Sequence, residues 1–236
     1  MRLSGMRART SGLVASLTLV LFTFTAGDAA AAEPNETKPA TPTSRTMQPF
    51  EVDVKLTGNS DALLAFMGVG AAADVGVVKA GPGTIALGAA GEYDFCGSAC
   101  WAASALTGAQ FGQSQISLWG RASYHIVMKG KSVEKLDVYP FVMAGPAFAS
   151  SYVRLDDGSA EFRGKDTAFA VGAGVGVNLF VGGPFFIGGE ARLRYAQGTY
   201  SYEVVTGDGR TVLEGREVNR WSTSGVDLLF AMGVRF

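Results

Sequence analysis

The sequence predicts an all-β protein: a transmembrane antiparallel up-and-down β-barrel of eight strands. Three observations predict it. Eight segments alternate apolar with polar or glycine residues at period two, the mark of strands with two unlike faces. The chain opens on an export signal. It is also rich in glycine, 32 of 236 residues, and poor in charge at 17%, where soluble domains carry about a quarter.

The N-terminus comes first. "MRLSGMRART" carries Arg2, Arg7 and Arg9, the apolar run "LVASLTLVLFTFT" follows, and small residues "AGDAAAA" close the stretch. A basic region, a short apolar region and an A-x-A site make a secretory signal peptide, here residues 1–32. The apolar run is shorter than the roughly 20 residues a spanning helix needs. There is no cysteine for lipid attachment and no twin-arginine pair. Removing three arginines and Asp28 leaves 17 Lys+Arg against 20 Asp+Glu, a net charge of −3. That balance excludes a nucleic-acid partner. Residues 33–48, "EPNETKPATPTSRTMQ", are Pro/Thr-rich without periodicity and read as a disordered periplasmic linker. The barrel domain is then 49–236.

The segments follow in order. "FEVDVKLT" (50–57) sets Phe50, Val52, Val54 and Leu56 against Glu51, Asp53 and Lys55. Residues 62–78 set Leu63, Met67, Val69, Val75 and Val77 against Gly68, Gly70, Asp74 and Gly76. Residues 84–95 set Ile85, Leu87, Tyr93 and Phe95 against Gly88, Glu92 and Asp94. Residues 115–129 set Ile116, Leu118, Tyr124, Ile126 and Met128 against Gln115, Ser117, Arg121, Ser123 and His125. Residues 137–155 are apolar on both sides, so their phase stays open. Residues 167–181 set Val171, Val175, Val177, Leu179 and Val181 against Gly172, Gly174, Gly176 and Asn178. Residues 184–205 set Ile187, Leu193 and Tyr195 against Glu190, Arg192 and Arg194, and "GVDLLFAMGVRF" (225–236) closes the set.

Short connections, 79–83, 129–136 and 182–183, alternate with longer ones, 96–114, 156–165 and 206–221. That asymmetry suits an outer-membrane barrel. Asp-Gly pairs in the last two long connections predict hairpins standing above the bilayer, whose edges could accept a strand from a partner.

Polarity decides between water and lipid outside. In lipid every backbone group must pair within the protein, so the sheet closes. If the apolar stripes were a soluble core, the exterior would be glycine-rich and nearly uncharged. The stripes therefore face lipid, and Glu51, Glu92, Arg121, Glu190, Arg192, Arg194, Asp227 and Arg235 face the bore. An eight-stranded bore is just filled by side chains, so Gly172, Gly174 and Gly176 leave room for long residues opposite. Counting from the short turns pairs Arg194 with Asp227, Glu92 with Arg121 and, at the closing seam, Glu51 with Arg235.

With its signal peptide, eight amphipathic strands and terminal "MGVRF", the chain resembles the small eight-stranded outer-membrane barrels of the OmpA-like and OmpX/Ail type. The resemblance implies residence in the bacterial outer membrane among lipid and lipopolysaccharide, and reading of Phe236 by the barrel-assembly machinery. It is specific for outer-membrane insertion and unspecific for activity, and no cofactor is expected. Cys96 and Cys100 frame "CGSAC" and predict a small loop-locking disulfide. His125 is the only histidine, which leaves no metal set. Ser123 and His125 would suit a lipid-hydrolysing barrel, but both face inward and no acidic partner is placed. "VGAGVGV" has no following helix, so it is not a phosphate loop. The expected role is structural: envelope integrity, or adhesion through the outer hairpins. The alternatives are a narrow ion or solute pore and a lipid-modifying barrel enzyme.

Overall fold

The computed structural model describes residues 46–61, 64–126, 136–155, 157–206 and 211–236, without the side chains of 212–219. The expected signal peptide (1–32), most of the expected linker (33–48), Leu63, Met128 and most of the 129–136 turn lie outside the described residues. The strands are β1 (Val52–Asp61), β2 (Phe66–Ala80), β3 (Gly83–Cys96), β4 (Ala109–Ile126), β5 (Leu136–Leu155), β6 (Ala160–Gly182), β7 (Phe185–Thr206), β8 (Thr211–Ser222) and β9 (Gly225–Arg235), with one helix, α1 (Ser98–Thr107). Neighbours in sequence pair antiparallel from β1 to β7, β7 pairs with β9, and β9 returns to β1. The ring has eight members because β8 and β9 are one strand interrupted at Thr223 and Ser224: β7 opposes β8 at Gln197 and β9 at Arg194. At the seam Val52 and Phe236 exchange both backbone hydrogen bonds, each at 3.0 Å.

The period-two stripes fall as the polarity argument requires. Leu56, Val69, Leu87, Leu118, Val175, Leu193 and Leu228 stand on the exterior, while Asp53, Asp74, Glu92, Arg121, Asn178, Arg192 and Asp227 are buried. The open phase of 137–155 resolves with Tyr139, Phe141, Met143 and Ala147 inward and Val142 and Phe148 outward. Two short turns run through Gly81 (φ 55°) and Gly183 (φ 53°), a left-handed conformation that glycine adopts without a Cβ clash.

The barrel is uneven in height. β1 and β9 have 10 and 11 residues, enough for one crossing of a bilayer, whereas β5, β6 and β7 have 20, 23 and 22. The surplus of β4–β8 rises as a wall at the long-loop end. Two parts of connections 96–114 and 206–221 are regular: α1 fills the first, and β8 occupies most of the second. Gly108 ends α1 at φ 69°, and Ser104 Oγ accepts the Phe111 N–H at 3.0 Å, covering the edge of β4 that β3 leaves free. At the other end, Thr46 and Met47 are buried, although composition places them in the linker. Gly76 faces inward in phase with Asp74, and a Cβ there would meet Gln48 O and, at 3.3 Å, Met47 Cγ. This stretch therefore folds back into the mouth of the bore.

Candidate functional site: the charged bore

Alternation places twelve charged side chains in the bore among the described residues: Lys55, Arg121, Arg192, Arg194 and Arg235 against Asp53, Asp74, Glu92, Asp94, Asp137, Glu190 and Asp227. All are nearly inaccessible, so each charge needs partners. They form three levels.

At the short-turn level, Arg235 Nε donates to Asp53 at 2.6 Å and its Nη2 to Asp137 at 2.5 Å, with the guanidinium 4.8 Å from the Phe180 ring. The Glu51–Arg235 pairing expected from counting is not formed. The seam register sets Asp53 opposite Arg235, and Glu51 accepts the Gln48 N–H at 2.7 Å. In the middle, Lys55 meets Glu190 at 2.5 Å and Asp74 at 3.6 Å, and Arg121 meets the same two at 2.9 and 3.1 Å. The Tyr139 hydroxyl accepts from Lys55 Nζ and donates to Glu190, both at 3.0 Å. Gly176 makes this possible, since a Cβ there would collide with the Tyr139 ring.

At the upper level, Arg192 meets Glu92 at 2.5 Å and Asp227 at 2.9 Å, and Arg194 meets Asp94 at 2.5 Å and Asp227 at 3.2 Å. Trp119 Nε1 donates to Glu92 at 3.0 Å. Glu92 does not reach Arg121, contrary to the sequence count. The lowest β3–β4 pair is Gly83 with Ile126, so Arg121 lies opposite Gly88 and Glu92 opposite Ser117. Trp119 and Met143, beside these ion pairs, pack with Tyr200 and Trp221 into one apolar cluster.

Sequence reasoning missed the acid beside His125. Asp137 Oδ2 lies 2.7 Å from His125 Nδ1, and His125 Nε2 lies 3.1 Å from Ser123 Oγ. That is the connectivity of a nucleophile, base and acid. However, Ser123 is 4% exposed, His125 1% and Asp137 0%. Asp137 also holds Arg235, and His125 stacks on Tyr139 with ring centroids 4.7 Å apart. The chain of hydrogen bonds gives these buried polar groups partners inside the bore.

Cys96 and Cys100 form a disulfide that joins the top of β3 to the first turn of α1. Phe236 is 72% exposed on the exterior.

A closed eight-stranded antiparallel ring with a greasy exterior and an ion-paired bore defines a transmembrane β-barrel of the bacterial outer-membrane type, and this chain is one. One solved structure shares the fold. A major outer membrane protein from Thermus thermophilus superposes with a TM-score of 0.58 at 10% identity, covering 79% of this chain and 99% of that one. The outer membrane protease OmpT of Escherichia coli (TM-score 0.46, 5% identity, 83% and 99% covered) and Ail, the attachment invasion locus protein of Yersinia pestis (TM-score 0.41, 9% identity, 80% and 100% covered), are more distant. No protein-family profile matches the sequence, and no curated protein matches it.

Proposed function

We propose that the protein is a sealed, non-enzymatic barrel of the bacterial outer membrane that acts through its surface, in envelope integrity and in adhesion by the raised wall. The observation that carries this reading is the bridging of the bore. Arg192 and Arg194 on β7 reach Glu92 and Asp94 on β3 directly across the ring, above the Lys55–Arg121–Glu190 knot. A permanent channel would need these bridges to part. Steady silence of the purified barrel in planar bilayers is the expected result. Sustained unitary openings would overturn it in favour of a narrow pore.

The wall supplies the adhesive surface. β8 pairs with β7 on one side, and no described strand covers its other edge. An extended segment of a partner protein can add there through main-chain hydrogen bonds. Lipid and lipopolysaccharide surround the belt, and the barrel-assembly machinery reads the terminal Phe236. The non-enzymatic reading is checked with a fluorophosphonate probe: labelling of Ser123 in the folded barrel would refute it.

A further inference from the structure

The belt ends in a built row of polar groups on its outer face. On β4 and β5 the outward apolar run stops at Ile116 and Phe148, which stand opposite each other in register. One outward position higher, four strands present a row in direct cross-strand register: Ser114 with Ser150, Ser150 with Lys165, and Lys165 with Ser201. These residues line a recess of about 550 Å³ whose lining also includes Ile116, Phe148 and Asp166; the Asp166 carboxylate is held from within the barrel, its Oδ2 accepting the Thr199 N–H at 2.7 Å and the Trp221 Nε1–H at 2.6 Å. Lys165 is exposed and has no ion-pair partner among the described residues, whereas Arg154 and Arg163, further up the same wall, are both held by Glu161 at 2.8 and 2.7 Å.

The chemistry of the row is that of a donor set. An ammonium offers three N–H groups and accepts nothing. Ser114 Oγ and Ser150 Oγ lie 2.9 Å apart, so one hydroxyl hydrogen bridges them and the other is left to donate outward. Ser201 adds a third hydroxyl. A cationic headgroup would be repelled; a phosphate, all acceptor, is matched. The height fits as well. Two residues along a strand cover about 7 Å, so the row sits just above the acyl boundary marked by Ile116 and Phe148. The lining of the recess joins this row to Ile116 and Phe148 of the lipid-facing belt.

We infer that this recess binds the phosphate of an outer-leaflet glycolipid, with Lys165 as its counter-ion and Ser114, Ser150 and Ser201 as its hydroxyl donors, while the acyl chains lie on Ile116 and Phe148. The inference rests on outer-membrane residence and deepens the envelope role by giving the barrel a fixed lipid neighbour.

The test uses the folded full-length barrel in detergent, with bis-phosphorylated lipid A in mixed micelles as the probe and folding verified by the shift between boiled and unboiled samples on gels. Lys165→Glu is expected to weaken lipid A binding by about tenfold or more, the scale of a lost charge-assisted hydrogen bond. Lys165→Arg is expected to retain binding. Lys79→Glu, an exposed lysine at the short-turn end, is expected to leave it unchanged. Dephosphorylated lipid A should bind weakly, and millimolar inorganic phosphate should not displace the lipid. Equal binding by Lys165→Glu, equal loss in Lys79→Glu, equal binding of the dephosphorylated lipid, or displacement by free phosphate would each overturn the site. A barrel silent in planar bilayers that fails this test refutes the lipid site and leaves the sealed-barrel reading standing.

Discussion

Arg192 on β7 grips Glu92 on β3 at 2.5 Å, and these strands stand diametrically opposite, four steps apart in either direction around the ring. The pair is a strut across the full bore. Removing one end strands a buried charge, which costs about 3–5 kcal/mol, whereas replacing both ends with neutral residues of similar volume is close to neutral. Arg192→Met should therefore lower the urea midpoint of the micelle-folded barrel strongly. Adding Glu92→Gln should restore much of the loss, because Asp227 keeps Arg194 at 3.2 Å. A double variant no more stable than the single one would show that the strut is not the unit of stability.

The faces of this barrel were legible in the sequence and the bonds across it were not. Val175, Leu193 and Leu228 announce a lipid face by period two alone, since a strand offers two sides. The stretch 137–155 defeats that logic because Tyr139, Phe141 and Met143 fill the bore where other strands place charges, so both its faces are apolar. Partners such as Asp137 for His125 or Arg192 for Glu92 depend on strand stagger, and one miscounted turn moves a residue past its partner, as it did for Glu92 and Arg121. The helix α1 had a local signal in Ala99, Ala102, Ala103 and Ala105, which a reading tuned to turns and strands passed over.

Gly176 leaves room for the Tyr139 ring, which Lys55 and Glu190 pin from the far side. A methyl group there must displace the ring or the sheet. Gly176→Ala should cost about 1–3 kcal/mol, the range for overpacking, while Tyr139→Phe keeps the ring and loses only its hydrogen bonds. Gel-shift melting of the two variants separates shape from bonding. An unchanged midpoint in Gly176→Ala would mean the bore has slack at this level.

The Cys96–Cys100 bridge closes a short loop at the start of α1, a helix with no buried residue and no charged one. Chain entropy for so small a loop gives about 2 kcal/mol, all of it local. Reduction should leave the barrel's melting unchanged and expose the helix. Chymotrypsin is the right probe, because Trp101 is 75% exposed and residues 95–120 hold no lysine or arginine for trypsin. Cleavage at Trp101 should rise sharply in dithiothreitol or in Cys96→Ser with Cys100→Ser. Equal rates would show that α1 holds without its clamp.

On the raised wall, hydrogen bonds from Arg163 and then Arg154 hold the Glu161 carboxyl below its ordinary value of 4.5. A depressed carboxyl contributes ordering that is complete above 4.5 and is lost as pH falls through the lower folded value. Both arginines are half exposed, so the effect is below about 1 kcal/mol and confined to the β5–β6 hairpin. Amide protection factors near residues 154–163 should fall between pH 5 and pH 3 in the native protein and stay flat in Glu161→Gln. A fall of the same size in both would place the titration elsewhere.

Phe236 does two separable things. Its backbone exchanges two hydrogen bonds with Val52 at the seam, and its ring stands out from the exterior. Deleting Phe236 removes both, whereas Phe236→Ala keeps the backbone pair and removes only the ring. If the ring is what the assembly machinery reads, Phe236→Ala should refold from urea into detergent micelles as the native chain does, yet accumulate unfolded in the periplasm of cells. The deletion should fail in cells and also melt earlier in micelles, by about 1 kcal/mol per lost hydrogen bond. Normal insertion of Phe236→Ala in cells would leave the terminal aromatic with no role beyond the lipid contact of its ring.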